Sequence, residues 1–324
     1  MMKFEVTSSP HIRGKNHTQR IMLDVILALI PALAVGVWHF GMRAFAVTVV
    51  SIGAALAAEW VCGLVLYHRS TIKDLSAVVT GLLLALTLPV TVPYWTAAVG
   101  SIFAVLVVKG FCGGLGKNIF NPALAGRAFL VLLWPVYLVR YAEAGVKLSV
   151  TDSIADAVTS ATPLHHMQMP ALPEESLADM FFGNIAGSIG EVCTLALLAG
   201  GIYLIWRGVI SIRIPAAYLG TVAVLTLVFS KGDQAFAWML YNLFGGGVVL
   251  GAFFMATDYA SSPVTPKGQI LYGAGCGILT VIFRYFGLFP EGVTYAILLM
   301  NACVWAIDSW TAPRRFGTKK GKAL

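Results

Sequence analysis

Ten apolar stretches run along the chain, at roughly 21–38, 44–66, 76–91, 95–109, 122–139, 189–206, 214–230, 236–256, 269–287 and 292–310. A helix needs about 20 apolar residues to cross the hydrocarbon core of a bilayer. The pattern therefore predicts an all-α polytopic membrane protein with about ten transmembrane helices. The third and fourth stretches are short and are separated by Pro89 and Pro93, so half-helices or tilted helices are expected there. One long polar segment, 140–188, divides the ten into five and five. The expected organisation is an N-terminal segment 1–20, a first five-helix repeat 21–139, the loop 140–188, a second five-helix repeat 189–310 and a basic tail 311–324.

The halves are weakly alike. Gly81-Leu82-Leu83-Leu84-Ala85-Leu86-Thr87 corresponds to Gly247-Val248-Val249-Leu250-Gly251-Ala252-Phe253. Each is followed by a proline-containing break, a glycine-rich apolar span and a last apolar helix. An odd number of spans per repeat forces opposite orientations, hence an inverted repeat whose broken helices meet near the midplane.

Composition strengthens the membrane reading. The 324 residues are 58% hydrophobic and 11% charged, with a mean hydropathy of +0.81, whereas soluble domains carry about 25% charged residues. The net charge of +7 does not point to nucleic acid, because Lys and Arg are spread between the apolar stretches and at the two ends. With the N-terminus inside, sixteen of them fall on the cytoplasmic side, five outside (Arg43, Arg140, Lys147, Lys231 and Arg284), and Arg127 falls within a span. That bias places both termini in the cytoplasm and the loop 140–188 outside. Lys109 counts among the inside charges. The five cysteines are isolated and lack any CxxC spacing, which suits small buried hydrophobes better than a disulfide framework or an iron–sulfur site.

Candidate chemistry concentrates in three polar stretches. The loop holds Asp156-Ala157-Val158-Thr159-Ser160-Ala161-Thr162-Pro163, a run of small residues and hydroxyls stopped by a proline. Small neighbours leave a hydroxyl open to a bulky reagent; local Ser/Thr–backbone bonding is the plainer reading. The second stretch, Gly113-Gly114-Leu115-Gly116-Lys117-Asn118-Ile119-Phe120-Asn121-Pro122, is not a P-loop, since Phe111 and Asn118 stand where Gly and Ser/Thr are needed. Asn118 and Asn121, three apart, would share a helical face and offer amides to a ligand, or Asn121 would simply cap the helix opened by Pro122. Arg127, just inside a span, requires a partner, a phosphate or a cavity. The third stretch, Thr257-Asp258-Tyr259-Ala260-Ser261-Ser262-Pro263-Val264-Thr265-Pro266, reads as non-helical backbone lining a cavity or as an ordinary turn. Asp24, Glu59, Glu191 and Asp308 lie in or near spans and are candidate polar-site residues by that position. His165-His166 has no partner cluster for zinc.

These motifs resemble one family. Asp-x-x-[Ser/Thr]-x-Ala-Thr is similar to the motif at which FMN is joined to a threonine by a phosphodiester bond. The GGxGxNxxNPA and TDxxxSPVTPKGQ stretches, Ser8-Ser9-Pro10-His11, and the segments from Pro290 to Asn301 and Asp308 to Gly317 extend the likeness over nearly the whole chain, which resembles the RnfD/NqrB family. The short N-terminal segment makes RnfD the nearer match. The resemblance implies a fold similar to urea transporters and covalent FMN on Thr162, with Asp156, Thr159, Ser160 and Ala161 in the attachment motif. It also implies a second, non-covalent riboflavin site to which Asn118 and Asn121 contribute. Arg127, Thr257 and Asp258 join the candidate cofactor-binding residues. The implied function is electron relay within an ion-translocating (Na+ or H+) ferredoxin:NAD+ oxidoreductase of the bacterial cytoplasmic membrane. Its implied partners are the Rnf subunits A, B, C, E and G and a flavin-attaching enzyme. An NqrB-type subunit of a sodium-translocating NADH:quinone oxidoreductase is the nearest alternative; a channel or transporter with no redox role is the other.

Overall fold

In a computed structural model, residues 17–67, 71–143, 145–152, 159–160, 162–167, 172–173, 175–231, 234–287 and 291–313 are described. Asp156 and Ala161 lie outside these residues, as do most of the N-terminal segment and the tail from Arg314.

The long helices turn small residues inward and large apolar ones outward. Helix α1 (Thr18–Phe40) buries Ala28, Ala32 and Gly36 and leaves Leu23, Leu27 and Ile30 nearly half exposed. That is the reverse of a soluble helix and suits a lipid surround. Trp206, Trp305 and Trp310 are about four-fifths exposed. The chain is a multi-pass membrane protein. Among the described residues, four helices have the length and apolarity to cross a bilayer: α1, α2 (Met42–Cys62, running on to Val65), α13 (Pro266–Phe286) and α14 (Val293–Thr311).

The other apolar stretches are shorter or more broken than the hydrophobicity pattern predicts. Helix α3 is Ser76–Leu86 and α4 is Tyr94–Gly110, the latter ending in π-helical turns from Ala104. The stretch 122–139 is not one helix. Helix α5 (Pro122–Leu133) stops at Trp134, and a single turn, α6 (Pro135–Leu138), follows. Pro135 is the reason, because it disfavours helical backbone in the residue before it. The loop contains a two-residue strand pair, β1 (Tyr141–Ala142) with β2 (Thr159–Ser160), and the short helices α7 (Pro163–His166) and α8 (Leu177–Phe182). Beyond it come α9 (Thr194–Trp206) and α10 (Arg213–Val228). The predicted span 236–256 is bent by 61° between α11 (Ala235–Phe244) and α12 (Val248–Met255) at three consecutive glycines. Gly246, at φ +50°, takes a left-handed turn there.

Helices α3 and α12 form the centre. Every residue of α12 is buried, as is nearly all of α3. Helix α2 packs on α3 and α4, α10 packs on α12 and α13, and α1 packs on α9. Glycines set the close approaches. A Cβ on Gly200 of α9 would meet the Ala28 carbonyl of α1, and one on Gly277 of α13 would lie 2.7 Å from the Thr221 Cβ of α10. The same α10–α13 seam carries a buried hydrogen bond between the Tyr218 and Thr280 hydroxyls at 2.6 Å.

Helix ends inside a bilayer leave carbonyls that water cannot reach. Two buried arginines meet that need. Arg43 donates from Nε to Val90 O (3.0 Å) at the break after α3 and from Nη1 to Asp152 O (2.8 Å). Arg284 donates to Asn242 O, Gly245 O (2.7 Å) and Gly246 O (3.1 Å) at the bend before α12. The charge pattern along the sequence treats both as outer loop charges; both are instead interior fasteners. Lys109 is likewise buried, at 3% exposure.

Gly277→Leu should overfill the α10–α13 seam and cost about 1–3 kcal/mol. Gly220→Ala, on a face of α10 with nothing within 4 Å, should be neutral or slightly stabilising. Thermal unfolding of the two purified variants in detergent checks the difference.

Candidate functional site

The polar residues that line the interior cavities form two groups at opposite ends of α12. The first surrounds Thr162. The pairing of Tyr141 with Ser160 and of Ala142 with Thr159 closes the loop on itself and delivers Thr162 two residues later to the protein interior. There it lines a cavity with Leu164, Met180, Gly245, Gly246, Glu191 and Glu291. The expectation of an openly displayed hydroxyl is corrected: Thr162 is only 7% exposed. Pro163 and Leu164 sit in the wall of the same cavity and carry Thr162 inward with them. Thr159 is exposed and Ser160 half-buried.

Glu191 and Glu291 also line the next cavity, together with Thr87, Arg127, Gly247, Leu250 and Met255. Arg127 supplies the positive charge at this junction. Its Nη1 lies 3.2 Å from Glu191 Oε1 and its Nη2 is ion-paired with Glu291. Tyr141 donates its hydroxyl to Glu291 Oε1 at 2.7 Å. Arg127 comes from α5 in the first half, and the two carboxylates come from the breaks before α9 and α14 in the second. The sequence marks Arg127 as needing a partner. It does not single out Glu291, which sits among loop residues with nothing local to show that it is drawn inward.

The second group encloses a larger cavity lined by Asn118, Asn121, Thr257, Asp258, Lys109, Ser76 and Thr80, with Met22, Val25, Leu83, Phe253, Phe254 and Tyr259 as its apolar walls. Four of the sequence-predicted residues are thus gathered from the two halves. They do not share a helical face, however. Asn118 lies in the turn before α5, and Asn121 is the N-cap of that helix, its Oδ1 accepting from the backbone N–H of Ala123 (3.0 Å) and Leu124 (3.3 Å). The glycines at 113, 114 and 116, all at positive φ, keep this segment from helical geometry. Asn121 also reaches across the halves, donating from Nδ2 to Met255 O at 3.1 Å. Asn118 Nδ2 donates to Phe120 O (3.3 Å) and lies 3.5 Å from Asp258 Oδ2, at the limit of hydrogen bonding. Thr257 Oγ1 donates to Phe253 O (2.6 Å), and Asp258 accepts from Ser261 Oγ (2.9 Å).

The lining combines the side-chain amides of Asn118 and Asn121, the Asp258 carboxylate and the Lys109 ammonium with aromatic and aliphatic side chains, the mixture of a few polar groups among apolar ones that a small-molecule site presents. The other carboxylates singled out in the sequence are occupied. Asp24 pairs with Arg207 (3.1 Å) and accepts from Tyr203, Glu59 pairs with Lys109 (2.9 Å), and Asp308 accepts from the Val264 N–H.

Replacing Arg127 with Met should destabilise the protein by about 3–5 kcal/mol, because buried Glu191 and half-buried Glu291 lose their counter-charge. Combining it with Glu191→Gln should recover part of that loss. Detergent melting curves of the single and double variants give the comparison.

The model of the NQR2, RnfD, RnfE family matches residues 5–317. The chain is 46% identical to the D subunit of the Na(+)-translocating ferredoxin:NAD(+) oxidoreductase complex of Acetobacterium woodii, over 99% of this chain and 98% of that one. It is 42% identical to the D subunit of the proton-translocating ferredoxin:NAD(+) oxidoreductase complex of Clostridium ljungdahlii, covering 98% and 97% of the two chains. With the D subunit of the ion-translocating oxidoreductase complex of Shewanella amazonensis it shares 36% identity over 98% and 99%. A match of this length takes in both halves, the loop with Thr162 and both cavities, and so the chain belongs to the NQR2, RnfD, RnfE family.

Proposed function

We propose that this chain is the D-type membrane subunit of an ion-translocating ferredoxin:NAD+ oxidoreductase complex, relaying electrons through an FMN held covalently on Thr162 and a second, non-covalent flavin, a riboflavin, in the cavity of Asn118 and Asn121. The observation that carries the reading is end-to-end similarity to D subunits of such complexes, at 46% and 42% identity. Their names specify Na+ in one case and H+ in the other, so the cargo common to them is a single positive charge.

When bound, flavin supplies reversible electron transfer. This chain's part is to hold the rings and shape their surroundings. Thr162 is a tether and does no redox chemistry. Asp156, Thr159, Ser160 and Ala161 flank it as the stretch read by a flavin-attaching enzyme. Because Thr162 is buried between Leu164, Met180 and the glycine bend, attachment takes place before this segment settles on the second half, or with it lifted away. Arg127 is committed to Glu191 and Glu291, so its role is to fix the floor beneath Thr162. In the second cavity Asn118, Asn121, Thr257 and Asp258 orient the polar edge of the ring.

The ten apolar segments are read as two inverted five-segment repeats of the urea-transporter type. The pairing of α2 with α3 and α4 is matched by that of α10 with α12 and α13, and α4–α5 is matched by α13–α14. Both termini are placed in the cytoplasm and the loop 140–188 outside a bacterial inner membrane. The burial of Arg43 and Arg284 supports this, since it removes two of the five exceptions to the charge bias. The Rnf subunits A, B, C, E and G are the partners in this reading, along with the surrounding lipid.

The test is flavin fluorescence of the denatured chain in a gel, from a host that attaches flavin, with Thr162→Val and Thr159→Val alongside. A fluorescent band retained in Thr159→Val and lost in Thr162→Val is expected. No fluorescence in the wild type, with attachment working on a control protein, would sink the FMN relay and leave a channel without redox chemistry as the better account of the broken helices.

A further inference from the structure

The cavity of Asn118 and Asn121 has one wall that its motifs do not mention. Lys109 is 3% exposed and lies in the π-helical end of α4, where the widened turn is of a kind often found at functional sites. Its ammonium is held at two points, 2.9 Å from Glu59 Oε2 and 2.6 Å from Ser76 Oγ. Ser76 Oγ in turn donates to Asp74 Oδ1, and Thr71 Oγ1 donates to Glu59 Oε1. An ammonium carries three N–H groups. Among the described residues two are taken, which leaves one for whatever occupies the cavity. Lys109 and Ser76 line that cavity, and Glu59 does not. The cationic partner of the pair therefore borders the cavity and the anionic one does not.

A structural ion pair alone would not need this arrangement. Burying a Lys–Glu pair rarely gains stability over apolar residues of similar size. Here the pair is oriented by three further side chains and its cationic end borders a cavity with a mixed polar edge. A flavin ring gains electrons on reduction, and its reduced form carries negative charge when the site offers a cation. Resting on the flavin reading of this cavity, we infer that Lys109, oriented by Glu59 and Ser76, is a positioning residue that raises the reduction potential of the ring bound beside Asn118 and Asn121. In chemical terms the ligand class is a redox-active heterocycle that becomes more negative on reduction.

Opposite signs make the inference testable. Lys109→Met removes the cation and leaves Glu59, so the midpoint potential of the cavity flavin should fall. Glu59→Gln removes the carboxylate paired directly with the cation, Asp74 and Asp258 being unchanged in both variants, so the potential should rise. A pair that merely supported the fold would shift both variants in one direction or neither. The measurement is an anaerobic redox titration of the whole membrane complex, following the flavin that acid releases from the protein, with its content determined for each preparation. The covalent flavin serves as internal reference and should not move. Should either single variant fail to assemble, the charge-neutral pair Lys109→Met with Glu59→Gln should still show a smaller fall, because the lysine is the nearer of the two. Unchanged potentials, or shifts of one sign in both singles, with flavin retained, would overturn the role of Lys109. Absence of any acid-releasable flavin from the wild-type complex would overturn the flavin reading of the cavity itself, and the inference with it.

Discussion

Unpaired backbone in a place without water is the constraint around which this molecule is built. Half-helices such as α3 and α12 end where lipid or protein, and not solvent, surrounds them. Each orphan carbonyl there would cost several kcal/mol. Leu86 O and Leu88 O accept from the N–H groups of Gly190 and Ile189, at 2.8 and 3.0 Å. Arg43 takes Val90 O, and Arg284 takes the carbonyls of the glycine bend. The first break is thus closed partly by the second half of the chain, whereas the glycine bend is held by Arg284 from within its own half. A guanidinium suits this work because it stays charged and presents several donors in one rigid plane.

The same need bears on where the two candidate groups of residues stand. A break in a helix is costly to hold, and the side chains recruited to hold it are polar. Once assembled, those side chains are also what a cofactor requires: fixed donors and acceptors in a dry setting. Asn121 holds two breaks at once, capping α5 with its oxygen while its amide nitrogen reaches Met255 O, and it lines the cavity between them. Arg127 does the same for charge, tying a helix of the first half to two carboxylates of the second.

Much of the fold was legible because lipid leaves a simple mark on sequence: apolar runs, proline breaks and a bias of basic residues. The central break after α3 was visible in Pro89 and Pro93, and the importance of the stretches around Asn118 and Thr257 in their density of polar groups. What the pattern missed has a common cause. Hydropathy counts residues along a line, so it reads 236–256 as one helix where Gly245–Gly247 bends it, and 122–139 as one where Pro135 ends it. Charge counting treats Arg43, Arg284 and Lys109 as loop residues, because the direction of a side chain is not written in its type. Long-range pairing is hidden for the same reason: Glu291 is separated from Arg127 by 164 positions, and Lys109 from Glu59 by 50.

Helix α12 has one further property. It is only eight residues long, π-helical from Gly251, and the glycines of the Thr162 cavity stand at one end while Thr257 and Asp258 of the other cavity stand just past its opposite end. It is buried along its whole length. The chain thus has only this one short buried helix between the glycine bend and Thr257, so the backbone that lines the two cavities is continuous. Two polar chambers so close together share their wall, and substitutions within α12 touch the lining of both.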